Sequence, residues 1–217
     1  MEIKKAFERG LFCYIWFMLT KYINKEYHNH NDILFYFLIF LWYTFIMILH
    51  PHKIIPLLGI QHGMTVLDMG SSVGFWVKPL AQIVGGTGKI IAVDNHSEII
   101  QRLHHDVQEL GLVNVHPITG DIHKLSELSL RKNSCDCVLL VRMLSVLDDN
   151  KGYVIDQLRH FLKQDGQLII IDSTHYKTEL LSLMDRSTNS VQWHEILEVE
   201  NRTDGHFFGI VINNQSI

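Results

Sequence analysis

The residues best able to do chemistry stand at the ends of two apolar segments near the middle of the chain. Residues 66–70 read Val-Leu-Asp-Met-Gly, and mostly small residues follow as far as Gly74. A second apolar segment, residues 89–93, ends at Asp94. A buried strand that runs into a turn of small residues lets backbone N–H groups approach a ligand closely. An acid that ends the neighbouring strand can accept hydrogen bonds from a ribose diol, so the pattern predicts a site for a nucleoside-containing ligand.

Dinucleotides use the same layout, and the spacing of the glycines separates the two ligand classes. The pyrophosphate motif G-x-G-x-x-G, started at Gly70, needs glycine at the positions that hold Ser72 and Phe75. The spacing therefore disfavours NAD or NADP, which stays as the less favoured alternative ligand.

Strand and helix patterns alternate through the rest of the chain. Helical spacing or helix end signals are found at residues 78–84, 97–110 and 153–162, and apolar strands at residues 115–118, 136–141 and 167–171. Residues 193–200 and 207–213, with a turn at Asp204-Gly205 between them, predict a hairpin. Alternation with strands that are apolar on both faces predicts an α/β fold with a parallel sheet covered by helices.

Asp68, Gly70 and Gly74 match the first motif of class I S-adenosylmethionine-dependent methyltransferases, D-x-G-x-G-x-G, and the chain resembles that family over about residues 53–217. The resemblance implies S-adenosylmethionine as the cofactor. It also implies a doubly wound, mostly parallel seven-stranded sheet that ends in an antiparallel hairpin. Ser72 replaces the middle glycine, and a side chain there weakens cofactor binding if the backbone needs a positive φ. A catalytically degenerate scaffold on the membrane is therefore an alternative function.

The resemblance also implies which residues hold the cofactor. They belong to the first turn and to the ends of the next strands: Asp68, Gly70, Ser71, Ser72, Gly74, Phe75, Asp94, Asn95, Asp121, Ile122, Val141 and Arg142. In the family, the position of Asp121 often contacts the adenine amine, and the segment of Val141 and Arg142 lines the methyl-transfer site. By residue type alone, Asp121 suits an Asx turn and Arg142 suits a surface ion pair with Asp148 or Asp149.

Methyl transfer from a sulfonium depends on alignment and on the exclusion of water, so no obligatory catalytic residue is implied. If the acceptor is a phenol or another hydroxyl, a base is useful. His175 and Tyr176, just after the fifth predicted strand, are the candidates. The competing interpretation is that they are ordinary loop residues.

The first fifty residues are a different kind of sequence. Residues 33–49 carry no charge and are nearly all large and apolar, which gives a helix of about 25 Å, near the lower limit for crossing a bilayer. A shorter apolar stretch covers residues 11–19. We predict one or two apolar helices in an N-terminal region, residues 1–52, which is attached to the membrane through residues 11–49. An apolar cap or dimer interface over the active site is the alternative.

The predicted methyltransferase domain, residues 53–217, should face the cytoplasm, where the cofactor is made. A membrane attachment suits a small, lipophilic acceptor, as in the quinone-biosynthesis methyltransferases that the chain resembles in domain length and motif order. The oligomeric state is left open by the sequence.

Composition narrows the partners further. The net charge is −4 and no run of lysine or arginine exceeds two residues, which argues against a nucleic-acid partner. Three cysteines, two of them on one face of a strand, argue against a disulfide framework. The fourteen histidines have no spacing typical of a zinc site, so no metal is predicted.

Overall fold

Seven strands form one sheet in the computed structural model, which describes residues 51–186, 193–201 and 205–213. The order across the sheet is β3-β2-β1-β4-β5-β7-β6; β1 to β5 run parallel, and β7 is antiparallel to both β5 and β6. The sheet confirms the predicted fold class. The strands are β1 Thr65–Met69, β2 Lys89–Asp94, β3 Val115–Thr119, β4 Cys135–Val141, β5 Leu162–Ser173, β6 Trp193–Asn201 and β7 Gly205–Asn213.

An α-helix follows each of β1, β2, β4 and β5. They are α1 Val77–Val84, α2 Ser97–Glu109, α3 Lys151–Arg159 and α4 Lys177–Arg186. A short helical turn, Pro51–Ile54, continues as the 3-10 segment Ile55–Leu58, and further 3-10 segments cover Ile122–Glu127, Asp148–Asn150 and Thr174–Tyr176. Right-handed crossovers place α1 and α2 on one face of the sheet and α3 on the other, because the chain moves in opposite directions from β1 and from β4.

The parallel strands are apolar on both faces because both faces are covered. In β1, Val66 and Leu67 point to opposite sides of the sheet and both are fully buried, and the same holds for Val138 and Leu139 in β4. Such burial is typical of a parallel sheet between two helical layers, and it accounts for the continuous apolar runs in the sequence.

The strand order reverses between β1 and β4. From β1 the chain steps outward to β2 and β3, and β4 then returns to the other side of β1. Met69, the last residue of β1, is paired with Val93 on one side and with Leu140 on the other. Ligands of doubly wound sheets bind at such a switch point, outside the carboxyl ends of the strands. The fold therefore directs attention to the segments that follow β1, β2 and β4.

The approach to β5 differs from the prediction. The sequence predicted a helix to residue 162 and a strand from residue 167, with polar residues 163–166 as the turn between them, whereas α3 ends at Arg159 and β5 begins at Leu162. Phe161 and Leu162 are both buried in the core. The helix ends before them because this burial requires a non-helical backbone at these two residues. The polar residues that follow are accommodated by a shift in register, since Cys135 pairs with Leu162 and Cys137 with Gln167.

The predicted apolar helices lie outside the described residues, which begin at Pro51. Within the part of the chain that the structure describes, no helix has both the length and the apolar character needed to cross a bilayer. The division into residues 1–52 and 53–217 and the membrane segment at residues 11–49 stay predictions.

The side chain of Asn114, just before β3, forms hydrogen bonds with α1, and removing this side chain should destabilise the domain. Its buried Nδ2 donates to the carbonyl oxygens of Ala81 (2.9 Å) and Gly85 (2.8 Å), at the C-terminal end of α1. We expect Asn114→Ala to lower the free energy of unfolding by about 1–3 kcal/mol, because two main-chain carbonyls, those of Ala81 and Gly85, each lose one hydrogen bond. Urea denaturation measures this. Asn150→Ala is the control, since Asn150 is exposed and its side chain makes no capping hydrogen bond.

Candidate active site

The turn after β1 has an unusual backbone at three positions. Gly70, Ser72 and Gly74 have φ values of 82°, 47° and 81°, which lie in the region that favours glycine. The N–H groups of Gly70 and Ser71 both donate to the carbonyl oxygen of Val93, at 2.8 and 2.9 Å. The turn is thereby fixed against the carboxyl end of β2, where the ribose-binding acid was predicted.

Asp94 is in direct contact with this turn. Its Oδ2 accepts a hydrogen bond from the backbone N–H of Ser72 at 2.9 Å, and its Oδ1 accepts one from the N–H of His96 at 3.0 Å. The His96 ring atom Nδ1 also lies 3.0 Å from Oδ1. The Asp94 side chain is only 11% exposed. The structure therefore brings the small-residue turn and the acid of the next strand together, as the sequence predicted.

Two polar side chains under the turn are buried without a hydrogen-bond partner among the described residues. They are the Oδ2 atom of Asp68 and the Oγ atom of Ser71. Burial, together with the nearby charge of Asp94, raises the pKa of Asp68 to about 7. A cationic group placed near this carboxylate would favour its charged form. Unsatisfied buried polar atoms are rare in proteins and often mark functional sites.

The segment after β3 lies beside the same site. The N–H of Gly120 donates to the carbonyl oxygen of Asp94 at 2.9 Å, which holds this segment next to β2. Asp121 is half-buried, and its Oδ1 accepts a hydrogen bond from the N–H of His123 at 2.9 Å, so it does form an Asx turn. Ile122 is buried. Asn95, by contrast, is exposed at the start of the segment after β2.

Phe75 and Val141, both half-buried, were also predicted to contact the cofactor. Phe75 follows Gly74 in the first turn, and Val141 is the last residue of β4. Both therefore lie at the carboxyl edge of the sheet, close in sequence to the residues that line the switch point. Their contact with the cofactor stays a prediction.

The segment after β4 turns sharply at Arg142, which is exposed and has a φ of 57°. Its N–H donates to the carbonyl oxygen of Ile171 at 2.8 Å. Farther along, the carbonyl oxygen of Val146 lies 3.1 Å from Nε2 of His123, so this segment also reaches the one after β3. The carboxyl ends of β3, β4 and β5 are thus linked around the predicted cofactor position.

Asp172, near the end of β5, holds this segment and was not predicted as a site residue. Its buried carboxylate accepts hydrogen bonds from the N–H groups of Leu144 (2.9 Å), Ser173 (2.8 Å) and Met143. Burial raises the pKa of Asp172, although these hydrogen bonds and the charge of Arg142 oppose that shift. The signal in the sequence was the same as for Asp68 and Asp94, an acid at the end of an apolar strand.

The two candidate bases follow β5 in a 3-10 segment, Thr174–Tyr176. His175 is exposed and Tyr176 is half-buried, with ring centroids 5.1 Å apart in an edge-to-face arrangement. The nearly buried ammonium group of Lys151 lies 5.9 Å from the Tyr176 ring centroid and 3.1 Å from a carboxylate oxygen of Glu179. The candidates therefore lie at the carboxyl edge of the sheet, and their role as a base stays a prediction.

A sequence model of a family described as a methyltransferase domain matches residues 60–209. The chain belongs to this methyltransferase domain family. The match covers β1 to β5, the C-terminal hairpin for most of its length, and nearly every residue discussed above. S-adenosylmethionine is the cofactor that the family supports, in preference to a dinucleotide.

Relatives with named activities match over part of their length. The chain is 24% identical over 151 residues to a ubiquinone/menaquinone biosynthesis C-methyltransferase, UbiE, of Haemophilus ducreyi, which covers 69% of this chain and 54% of the relative. It is 32% identical over 114 residues to an arsenite methyltransferase of Aquipseudomonas alcaligenes, covering 51% of this chain and 33% of that one. The chain thus spans about half of the first relative and a third of the second.

Solved methyltransferase structures share the fold. A SAM-dependent methyltransferase from Aquifex aeolicus superposes with a TM-score of 0.64 at 23% identity, over 76% of this chain and 89% of that one. An arsenic(III) S-adenosylmethionine methyltransferase from Chlamydomonas reinhardtii gives a TM-score of 0.58 at 18% identity, over 73% and 65%. These similarities confirm the α/β methyltransferase fold.

The residues of the turn after β1 fit S-adenosylmethionine. The Oδ2 of Asp68, which has no hydrogen-bond partner in the described part of the chain, suits a cationic ligand, and the nearby Asp94 can accept from ribose hydroxyls. A Cβ atom built on Gly70 would overlap the side chain of Met143, so this position has no room for a larger residue without rearrangement.

One set of potential metal ligands occurs in the described part of the chain. His105, Asp106 and Glu109 on α2 place ligand atoms within 4.8 Å of one another. Asp106 is already paired with Lys78 Nζ at 3.3 Å and with Arg102 Nε at 3.1 Å. Two positive charges on this carboxylate oppose a divalent cation. The set has no part in the function proposed below, and the expected absence of a metal stays a prediction.

Ser72 departs from the family motif at a left-handed position, and replacing it should favour the fold. A non-glycine residue at a φ of 47° costs about 1 kcal/mol. We expect Ser72→Gly to raise the free energy of unfolding and to strengthen the binding of S-adenosylhomocysteine, the product form of the cofactor, several-fold. Chemical denaturation and calorimetry measure the two effects. Ser97→Gly, at the exposed start of α2, should show neither gain.

Proposed function

We propose that the protein transfers a methyl group from S-adenosylmethionine to a small, lipophilic acceptor at a membrane, with residues 53–217 facing the cytoplasm. The observation that carries the proposal is the hydrogen bond from the Ser72 N–H to Asp94. It joins the glycine-rich turn to Asp94, the predicted ribose-binding acid, beside the switch point of the sheet, and this arrangement supports the binding of a nucleoside.

The cofactor supplies a methyl group on a positively charged sulfur, which is already a good leaving group. The chain has to bind the cofactor and the acceptor, hold them in the right orientation and exclude water. In this proposal Asp94 accepts hydrogen bonds from the ribose hydroxyls, and Asp121, at the position where the family often contacts the adenine amine, binds that amine. The carboxyl group of Asp68, buried at the turn, would become negatively charged when a cationic group lies near it. For a hydroxyl acceptor, Tyr176 or His175 would take the proton.

The nature of the acceptor is supported by apolar side chains near the carboxyl edge of the sheet. Val146, after β4, is 43% exposed, and Tyr153, in the first turn of α3, is 67% exposed. Their exposure provides apolar contact area for a ligand that avoids water. The apolar stretches within residues 11–49 would hold the domain close to such an acceptor.

The names of the relatives bear on the acceptor in different ways. One relative is named for a C-methylation in ubiquinone and menaquinone biosynthesis, and another for arsenite. A quinone precursor is lipophilic, whereas arsenite is small and polar. The apolar surroundings and the apolar N-terminal stretch favour the lipophilic class.

The proposal is tested in two steps. Calorimetry of the full chain should detect S-adenosylhomocysteine binding at micromolar concentrations, whereas NAD should not bind. The protein is then incubated with membrane lipid extract and methyl-labelled S-adenosylmethionine, and mass spectrometry should show label in one organic-soluble species. Label confined to water-soluble species would contradict the lipophilic acceptor. An Asp94→Ala variant, with an impaired cofactor site, is the control for methyl label that does not depend on this protein's activity.

A catalytically degenerate scaffold is the second candidate, and the positive φ of Ser72 is the observation that favours it. If the protein no longer needed to bind the cofactor, a strained serine in this turn would be tolerated. In that case neither S-adenosylmethionine nor S-adenosylhomocysteine would bind in calorimetry, even to Ser72→Gly. Micromolar binding to the native chain removes this candidate.

A further inference from the structure

The side chain of Met143 lies against Gly70. A Cβ atom built on Gly70 would overlap Sδ of Met143 and would lie 2.9 Å from its Cε and 3.0 Å from its Cγ. The thioether end of Met143 therefore occupies the space directly beside the first glycine of the turn. Met143 is half-buried and was not among the residues predicted from the sequence.

The backbone of Met143 is fixed by the strand end beside it. Asp172 accepts hydrogen bonds from the N–H of Met143 and from that of Leu144, the latter at 2.9 Å. Arg142, directly before Met143, donates its N–H to Ile171 at 2.8 Å and turns the chain with its φ of 57°. These contacts hold the main chain of the segment, whereas the methionine side chain has three rotatable bonds.

Met143 and Gly70 stand on opposite sides of the switch point. Gly70 follows β1 and Met143 comes two residues after β4, and these two strands are neighbours between which the strand order reverses. The crevice that ligands enter in such sheets opens between these two segments. The thioether of Met143, which lies against Gly70, is therefore at this crevice.

We infer that Met143 is a cofactor-site residue that lies where the homocysteine part of the cofactor must bind and has to move aside. The inference rests on the proposed function, because it needs a ligand whose amino-acid end lies over Gly70. The Oδ2 of Asp68 and the Oγ of Ser71, both buried at this turn, have no hydrogen-bond partner among the residues that the structure describes, which supports a polar ligand here. Met143 thereby sets how readily the sulfur end of the cofactor enters.

The expected effect follows from the population of the open state. If Met143 covers Gly70 in most molecules, the apparent dissociation constant exceeds the intrinsic one by the inverse of the open fraction. Removing the thioether abolishes this cost. Adenosine lacks the homocysteine part and binds to the ribose and adenine positions alone, so its affinity should not depend on residue 143.

The experiment is calorimetry of full-length native, Met143→Ala and Met143→Phe proteins with S-adenosylhomocysteine and with adenosine. We expect Met143→Ala to bind S-adenosylhomocysteine about fivefold more tightly, and Met143→Phe about tenfold or more weakly, because its larger, stiffer side chain cannot leave the crevice as easily. The dissociation constant of adenosine should stay within twofold. Met64→Ala is the control, since Met64 is half-buried just before β1 at the opposite edge of the sheet.

A second readout follows the side chain itself. The chain has seven methionines, and labelling their methyl carbons gives one NMR signal that is missing in Met143→Ala. This signal should shift when S-adenosylhomocysteine is added and not when adenosine is added. Thermal unfolding of each variant establishes that it is folded before its affinity is compared.

The outcomes separate the two proposals. Equal or weaker binding of S-adenosylhomocysteine by a folded Met143→Ala variant overturns the role of Met143 while the proposed function stands. If neither the native chain nor any variant binds S-adenosylhomocysteine, the proposed function and the inference both fail. Binding by Met143→Ala alone would mean that the native thioether closes the crevice completely, which supports the inference.

Discussion

Asp94→Asn should weaken the binding of S-adenosylhomocysteine about 100-fold. A carboxylate that accepts from two ribose hydroxyls contributes about 1.5–3 kcal/mol per hydrogen bond, whereas the amide of asparagine presents one neutral acceptor and an N–H₂ group. The substitution keeps the size of the side chain, and its remaining oxygen can still accept from the Ser72 N–H, which donates to Asp94 at 2.9 Å, whereas the N–H of His96 loses its acceptor. Calorimetry with native and variant protein measures the change.

The matched control for this prediction is Asp136→Asn. Asp136 is also a half-buried aspartate that accepts a hydrogen bond from a backbone N–H, that of Thr65 at 2.8 Å, but it lies where β1 and β4 begin. The control should cost stability and leave cofactor affinity unchanged. If Asp94→Asn binds S-adenosylhomocysteine as tightly as the native chain, the assignment of the ribose site is wrong.

The contact between the turn and Asp94 could be predicted from sequence because both depend on short-range patterns. An apolar run that ends in Asp68 and Gly70, and another that ends in Asp94, define two neighbouring parallel strands with little ambiguity. Once the strands are neighbours, their carboxyl ends meet at one edge. The hydrogen bond from Ser72 to Asp94 then follows from the fold, and its length is what the structure adds.

The role of Met143 could not be predicted in this way. Its position depends on the left-handed turn at Arg142 and on the buried carboxylate of Asp172, almost thirty residues later in the chain. No periodicity of the sequence records which side chain crosses the crevice. The same limit explains the misplaced start of β5, where burial of Phe161 and Leu162 in the tertiary core overrides the local turn signal.

Asp68 should make the domain less stable as the pH rises from about 4 to 7. Its pKa is about 7 in the folded chain, against an ordinary value of 3.8 for an aspartate, because burial and the nearby Asp94 disfavour its charge. Within this window the folded state keeps a proton that the unfolded chain has released, so the free energy of unfolding falls with rising pH. Well above pH 7, Asp68 is ionised in both the folded and the unfolded state. The stability lost by burying its charge, up to about 4 kcal/mol, then no longer changes with pH.

Asp68→Asn isolates this contribution, because asparagine keeps the shape of the side chain and cannot ionise. Its free energy of unfolding from urea titrations should match that of the native chain near pH 4, when Asp68 is protonated, and exceed it increasingly up to pH 7. Asp172→Asn should destabilise throughout, by about 1–3 kcal/mol, since this carboxylate has donors that an amide cannot satisfy. A constant difference between Asp68→Asn and the native chain across the range would show that Asp68 stays ionised in the fold.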